Sequence, residues 1–500
     1  MRHTRILSVL AAAALLLAAV AWLRGAEYDE QYTLFLTGHV ARPVWPAGAV
    51  AAANIRDLQA VDAGFLAIAR DLRATDVHPP LYFWTIAAWR RLVGNSLFES
   101  RLASVLFSVV TLVLVAAIAR SAAIPAVPAV LLTLGCYAFA YTGAIARGFA
   151  LAQMLSVTGV ALLLGSRRDP RLMFAAGTAL GAATFANYLA VFAACAAILA
   201  VASLAGRSPG PGQARRQCLI LTTGAAVLGF ALWLPADAWF LVAQRQARVG
   251  QFEPFQPVAA AVRLARYGAA AVFGGLPLYV DGIIRTFVTT ALALLLLLAI
   301  ALIFLRWRYI GTQAARRLLV MTAAAPPLGL LLLGFVFDNT PIELRYLAFA
   351  TPFIGLLLAA ALPPWLCALV LVVQAIGLLG LATRPETMQP ARATAAAAAS
   401  LARDGVVLLP EGNDGVGIVG AFAAESLPGL PLLVIGRDAA PTEIRAQAAG
   451  YRRVVLAVME QDSASRATLP AMRQAFADPC WREVAGSSQV IAFDRICQDQ

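Results

Sequence analysis

Asp29 and Glu30 stand side by side just after the first long apolar run of the chain, residues 6–23. Such a pair can be no more than a solvated loop at a helix end. Held at a membrane surface, it can also serve as a general base toward a lipid-borne substrate. His78 precedes Pro79 and Pro80, which fix the start of the helix behind it. Arg147 and Arg345 each introduce an apolar helix. There a guanidinium either snorkels to headgroups as an anchor or grips an anion with its planar fork.

Other chemistries find less support. No phosphate-binding GxxxxGK[ST], nucleophile-elbow GxSxG or zinc-binding HExxH occurs. The only His are His3, His39 and His78. That speaks against a His-built metal site and leaves a divalent cation held by carboxylates alone open. Residues 412–417 are Gly-rich after an apolar run, which fits a plain turn better than a phosphate loop. Cys136, Cys195, Cys218 and Cys367 lie in or beside apolar spans, where thiols are ordinary packing residues. Cys480 and Cys497 lie in the polar tail and are expected to form a disulfide if that tail faces an oxidising compartment.

The elements that must position these groups are membrane helices. Of the 500 residues 61% are apolar and 13% charged, and the mean hydropathy is +0.76. Residues 6–23, 102–119 and 286–305 carry no charge and run long enough to cross a hydrocarbon core of about 30 Å. They must be helical, because only a helix satisfies its own backbone in lipid. The net charge of +12 comes from Arg without any Lys. These Arg fall mostly in short clusters between apolar spans and form no basic domain, so the charge points to topology and not to nucleic acid.

Arg-rich turns at 1–5, 120, 167–171, 207–216 and 306–317 are therefore expected inside. The turns near 140–147, near 187, through 241–285 and through 338–345 are expected outside. Residues 172–204 would reach roughly 50 Å as one helix, so two short helices turning at Asn187-Tyr188 are expected. Residues 241–285 carry five Arg against two acids, an excess that the rule does not favour on the outside. Residues 24–98 balance seven Arg with seven acids and suit an external loop. Within it, 80–93 is short and carries Arg90-Arg91, which predicts a helix lying in the interface. The basic, apolar start of the chain is read as a retained first helix, since no small-x-small cleavage pattern follows it.

After a last span at about 365–382 the composition changes. Residues 384–500 hold 11 Arg and 13 acids, with apolar runs at 406–409, 432–435 and 454–458 between turn signals. That alternation predicts a small soluble α/β domain. With about eleven spans and an inside N-terminus, it lies outside. The expected domains are thus 1–383 and 384–500.

The run Asp76-Val77-His78-Pro79-Pro80-Leu81-Tyr82-Phe83, with Gly94 and Asn95 and then Glu99, Arg101 and Leu102 behind it, resembles a GT-C glycosyltransferase signature. The similarity is to the protein O-mannosyltransferase-like and aminoarabinose-transferase-like families. Further matches follow in family order: Asp29-Glu30, Ala146-Arg147-Gly148-Phe149, Asn187-Tyr188-Leu189-Ala190 and Leu344-Arg345-Tyr346-Leu347. The resemblance covers residues 1–380 or so. It implies a GT-C-like polytopic helical protein, with interfacial helices in the first external loop, that moves a sugar from a polyprenyl-phosphate donor with inversion.

Carried over residue by residue, the resemblance makes Asp29 the general base and Glu30 its alternate or helper. It puts His78, Arg147, Arg345 and Tyr346 on the donor phosphate, and Asp29, His78, Arg147 and Arg345 are expected to converge on one external cavity. Implied partners are the lipid-linked donor, membrane lipids, and a glycan, lipid or protein acceptor, with no nucleic acid and no cofactor assigned. Some relatives carry Lys where His78 stands, and His or Lys before Tyr188. A polytopic transporter or lipid flippase of the cell envelope is the alternative. Such proteins place ionisable groups midway along their spans, whereas these spans are almost charge-free at their centres.

Overall fold

The computed structural model describes residues 2–165, 169–205, 212–244, 254–338, 342–384 and 390–497. They form two compact units. The first comprises Met1–Trp22, Ala69–Thr85 and Arg101–Thr383; the second comprises Leu23–Ile68, Ile86–Ser100 and Arg384–Gln500. The expected Arg-rich turns at 167–171 and 207–216, and the outward turns at 241–285 and 338–345, lie partly outside the described residues.

The first unit is helical. Among the described residues seven helices are long and apolar enough to cross a membrane, or eight if Ala126–Gly135 and Tyr137–Gly143, bent by 73°, form one span. Gly282–Leu305 shows why lipid must be its solvent. Only 11% of its most apolar stretch is buried, and Ile283, Phe287, Leu294, Leu297 and Phe304 are exposed. In water this would be a large sticky patch; in a bilayer it is the surface required. The chain is a multi-pass membrane protein.

Three shorter apolar helices, Phe149–Gly165, Pro170–Ala186 and Val191–Ala205, have 17, 17 and 15 residues. The run 172–204 is broken where its length demanded. Asn187 is extended, at φ −159° and ψ 120°, and its side chain accepts the Leu189 N–H at 3.1 Å. A short 3-10 turn then leads into the next helix.

The second unit is built on one six-stranded sheet. Its strands are β1 (Val50–Ala51), β2 (Val406–Pro410), β3 (Pro431–Ile435), β4 (Arg453–Ala457), β5 (Trp481–Gly486) and β6 (Val490–Arg495), in the order β1-β3-β2-β4-β6-β5. Strands β3, β2 and β4 run parallel, joined by the helices Gly417–Glu425 and Pro441–Gln447. All five residues of β2 are buried, as a central strand covered on both faces requires. Val406, Leu408, Leu433, Val454 and Leu456 make a core with Ile444, Leu469, Met472 and Phe476. Cys480 and Cys497 are disulfide-bonded, with Cα atoms 4.9 Å apart.

One strand comes from far upstream, since β1 pairs antiparallel with β3 through Val50–Leu432 and Ala51–Pro431. The first loop therefore shares a sheet with the tail. Arg90 also has a place that its charge alone does not suggest. The Leu81–Val93 helix carries it, yet its side chain is buried and faces no headgroups. It donates to Leu34 O (3.1 Å), Thr37 Oγ1 (2.5 Å), Gln59 O (2.5 Å) and Asn95 O (3.3 Å). A cation at the C-terminal end of the Tyr28–Leu36 helix meets both its unpaired carbonyls and its dipole. Arg91 stays exposed.

Candidate active site

In the first unit His78 lies between an acid and a base. Its Nδ1 is 3.1 Å from both Asp76 carboxylate oxygens, and its Nε2 is 3.2 Å from Arg147 Nη2. A guanidinium only donates, so Nε2 accepts and the ring proton sits on Nδ1, directed at Asp76. Burial works to raise the Asp76 carboxyl, but the His78 partner, the Val77 amide and the Arg147 charge outweigh it and hold it below the ordinary carboxylate value.

Local structure explains how these groups meet. Arg147 sits in the irregular stretch between the Tyr137–Gly143 and Phe149–Gly165 helices. The next residue, Gly148, allows a close approach, because a Cβ there would lie 2.9 Å from Ala186 O and 3.2 Å from the Tyr82 side chain. The His78 backbone is clasped by Gln244, a buried residue that caps the Leu234–Ala243 helix. Gln244 Nε2 donates to His78 O (2.9 Å) and Leu72 O (3.0 Å), while its Oε1 accepts from Tyr188 OH at 3.1 Å.

Arg345 and Tyr346 open the 3-10 segment Leu344–Ala350. The Arg345 guanidinium lies over the Tyr346 ring at 5.6 Å, and its Nε is 2.6 Å from Glu343 Oε2. Tyr346 stacks on Phe149 at 6.3 Å, two residues from Arg147. Burial pushes the Glu343 carboxyl up to about 7, against the pull of the Arg147 charge. The Arg345 contact, and the 35% of the Glu343 side chain left accessible, favour its charged form. The first unit thus gathers His78, Arg147, Arg345 and Tyr346 from segments far apart in sequence, together with two acids. Asp76 and Glu343 were not singled out as site residues in the sequence, nor was Gln244. The signal for the acids was adjacency, since Asp76 is two residues from His78 and Glu343 two from Arg345.

Asp29 and Glu30 belong to the second unit. They start the Tyr28–Leu36 helix, and they differ. Glu30 is fully buried, and its carboxylate accepts the Glu27 N–H at 3.1 Å in a reciprocal capping box. Asp29 is half-buried. The 412–417 turn does not offer its amides to a ligand. Asp414 Oδ1 accepts from Val416 N–H (3.1 Å) and Gly417 N–H (2.9 Å), and Asp462 Oδ2 from Asn413 N–H (2.8 Å). Among the described residues no group of three or more His, Cys, Asp or Glu is arranged to hold a metal ion.

Residues 77–239, which include His78 and Arg147, match the model of the dolichyl-phosphate-mannose-protein mannosyltransferase family. The whole chain superposes on ArnT from Cupriavidus metallidurans bound to undecaprenyl phosphate, with a TM-score of 0.52 at 11% identity over 99% of this chain and 98% of that one. The fold is GT-C. The apo state of the same ArnT gives the same TM-score at 13% identity, again over 99% and 98% of the two chains. At these identities the likeness concerns the GT-C fold alone. No curated protein matches the sequence.

Proposed function

We propose that this protein is an inverting membrane glycosyltransferase of the GT-C type, moving a sugar from a polyprenyl-phosphate donor to a glycan, lipid or protein acceptor on the external face. The observation that carries the reading is Arg147. The residue is 6% exposed, lies in the segment that matches a lipid-phosphate mannosyltransferase family, touches His78 and is grouped with Arg345 and Tyr346. Fixed cations in a sheltered, lipid-adjacent place suit a phosphate, and Arg suits it best through its planar fork. The Cys480–Cys497 bond supports an external second unit.

In the proposed reaction the acceptor oxygen attacks the sugar C1 as the bond from C1 to the phosphate oxygen breaks. Asp29 takes the acceptor's proton, and the polyprenyl phosphate leaves with its charge met by Arg147 and Arg345. Inversion follows from a single displacement, and no covalent enzyme intermediate or cofactor is involved. The test is mass spectrometry of envelope glycans, lipids and proteins from cells with and without the protein. Loss of one sugar modification, with build-up of its polyprenyl-phosphate-linked form, is the expected result. An unchanged set of modifications would remove the reading and favour a transporter.

Glu343 adds a pH dependence. Its charged form holds Arg345 and repels a phosphate, whereas its protonated form does neither. With burial pushing its carboxyl up toward about 7 and the Arg345 contact pulling it back, donor binding should weaken as pH rises through the range in which Glu343 ionises. Arg147, Arg345 and Tyr346 are the other groups that act on Glu343. The donor is a phosphodiester and lacks the second ionisation, near 6, of a monoester, so the slope belongs to the protein. Glu343→Gln should flatten the profile and keep the tighter, low-pH affinity. An equal slope in the variant would assign it elsewhere.

A further inference from the structure

The helix that carries Asp29 is held by the tail within the second unit. Tyr28, its first residue, lies flat against the start of the Gly417–Glu425 helix: a Cβ on Gly417 would fall 2.5 Å from the Tyr28 ring. The ring thus rests on the turn organised by Asp414, the carboxylate that accepts the Val416 and Gly417 amides, with the Tyr28 hydroxyl in electrostatic reach of it. Burial, then the charges of Asp414 and Asp462, keep that hydroxyl's pKa above its ordinary value, so it remains a donor.

Neighbouring contacts tighten the same joint. Arg42 donates to Asp414 O (3.1 Å) and to Tyr32 OH (2.9 Å), one turn along the helix from Tyr28. Trp45 Nε1 donates to Gly415 O at 2.7 Å. Upstream, the Ala26 N–H donates to Glu425 Oε1 at 2.6 Å, and Glu425 is paired with Arg392 at 2.8 Å. The first turn of the helix is thus gripped on both sides by the two ends of one tail helix.

We propose that Asp414 is a positioning residue for sugar transfer: acting through Tyr28, it sets the rotation of the helix whose next residue is Asp29. The inference rests on the reading of Asp29 as general base. A carboxylate stands about 5 Å from the helix axis, so a rotation of about 10° moves it by about 1 Å. A misplacement of that size costs up to about a hundredfold in rate. The 412–417 turn thereby gains a function as the socket for the Asp29 helix.

The experiment uses full-length protein in nanodiscs, with the cell's own extracted polyprenyl-phosphate-sugar lipids as donor. Initial rates are measured at saturating and limiting donor for Tyr28→Phe, Asp414→Ala, Asp414→Asn and Asp29→Asn. The saturating rate should fall about tenfold or more in Tyr28→Phe and Asp414→Ala, with the half-saturating donor amount nearly unchanged. Asp414→Asn keeps an acceptor oxygen and should recover most of the rate. Wild-type rates in Tyr28→Phe and Asp414→Ala beside an inactive Asp29→Asn would overturn the positioning role and leave the base intact. Activity in Asp29→Asn would remove the base reading itself. A loss that follows the thermal unfolding midpoint and is not recovered by Asp414→Asn would make the joint merely structural and also overturn the proposal.

Discussion

Asp29→Asn should lower the transfer rate by about 10²- to 10⁴-fold, the range that a positioned general base contributes. Donor binding should survive. Asn has nearly the size and polarity of Asp, so the half-buried position at the start of the Tyr28–Leu36 helix remains filled; what disappears is the ability to take a proton. The loss should therefore fall on the saturating rate and not on the donor requirement.

Glu30 is the internal comparison. Its carboxylate caps the helix through the Glu27 N–H, so its removal should weaken folding by about 0.5–2 kcal/mol before it touches chemistry. Single-turnover rates with prebound donor separate the two residues. If Asp29→Asn transfers sugar at the wild-type rate, the base assignment is lost, and if Glu30→Gln alone is inactive with normal stability, the role passes to Glu30.

Arg147→Gln should weaken binding of a polyprenyl phosphate about 10- to 150-fold, the equivalent of one charge-assisted hydrogen bond of about 1.5–3 kcal/mol. Arg147 is buried and faces His78 Nε2, so a glutamine can neither replace the charge nor reach as far. Arg345→Gln should have the smaller effect, because Glu343 at 2.6 Å already offsets part of the Arg345 charge. Calorimetric titration of the protein in detergent measures both. Equal affinity in Arg147→Gln and wild type would free Arg147 from the phosphate and return it to the role of an anchor.

Much of the scaffold is written locally. A membrane helix announces itself by an uninterrupted apolar run, since the bilayer core tolerates little else. That is why the helix Gly282–Leu305 is legible from the uncharged run 286–305, its end matched and its start one turn earlier, and why the break at Asn187 follows from a length that lipid cannot accept. The parallel strands of the tail are legible for a related reason: buried on both faces, they must be apolar throughout, and β2, β3 and β4 fall within about a residue of the apolar runs at 406–409, 432–435 and 454–458. The Cys480–Cys497 pair needed only counting.

The partners were not legible, because each is chosen by surfaces that approach only after folding. Arg90 beside Arg91 looks like charge placed for headgroups. It is buried because carbonyls from residues 34, 59 and 95 converge on it, and no local pattern encodes that convergence. Val50-Ala51 is too short a run to declare a strand and becomes one only against β3. Asp76 and Glu343 look like loop acids until His78 and Arg345 are seen to meet them. The sequence by itself therefore determined the long apolar helices, the tail strands and the types of group available for chemistry, since these depend on solvent and on nearest neighbours along the chain. Only the tertiary structure decided that Glu30 caps its helix, that His78 lies between Asp76 and Arg147, and that Tyr28 packs against the turn organised by Asp414. Those states depend on hydrogen bonds and charges brought within about 3 Å by the fold, and the joint between Tyr28 and Asp414 joins residues at opposite ends of the chain.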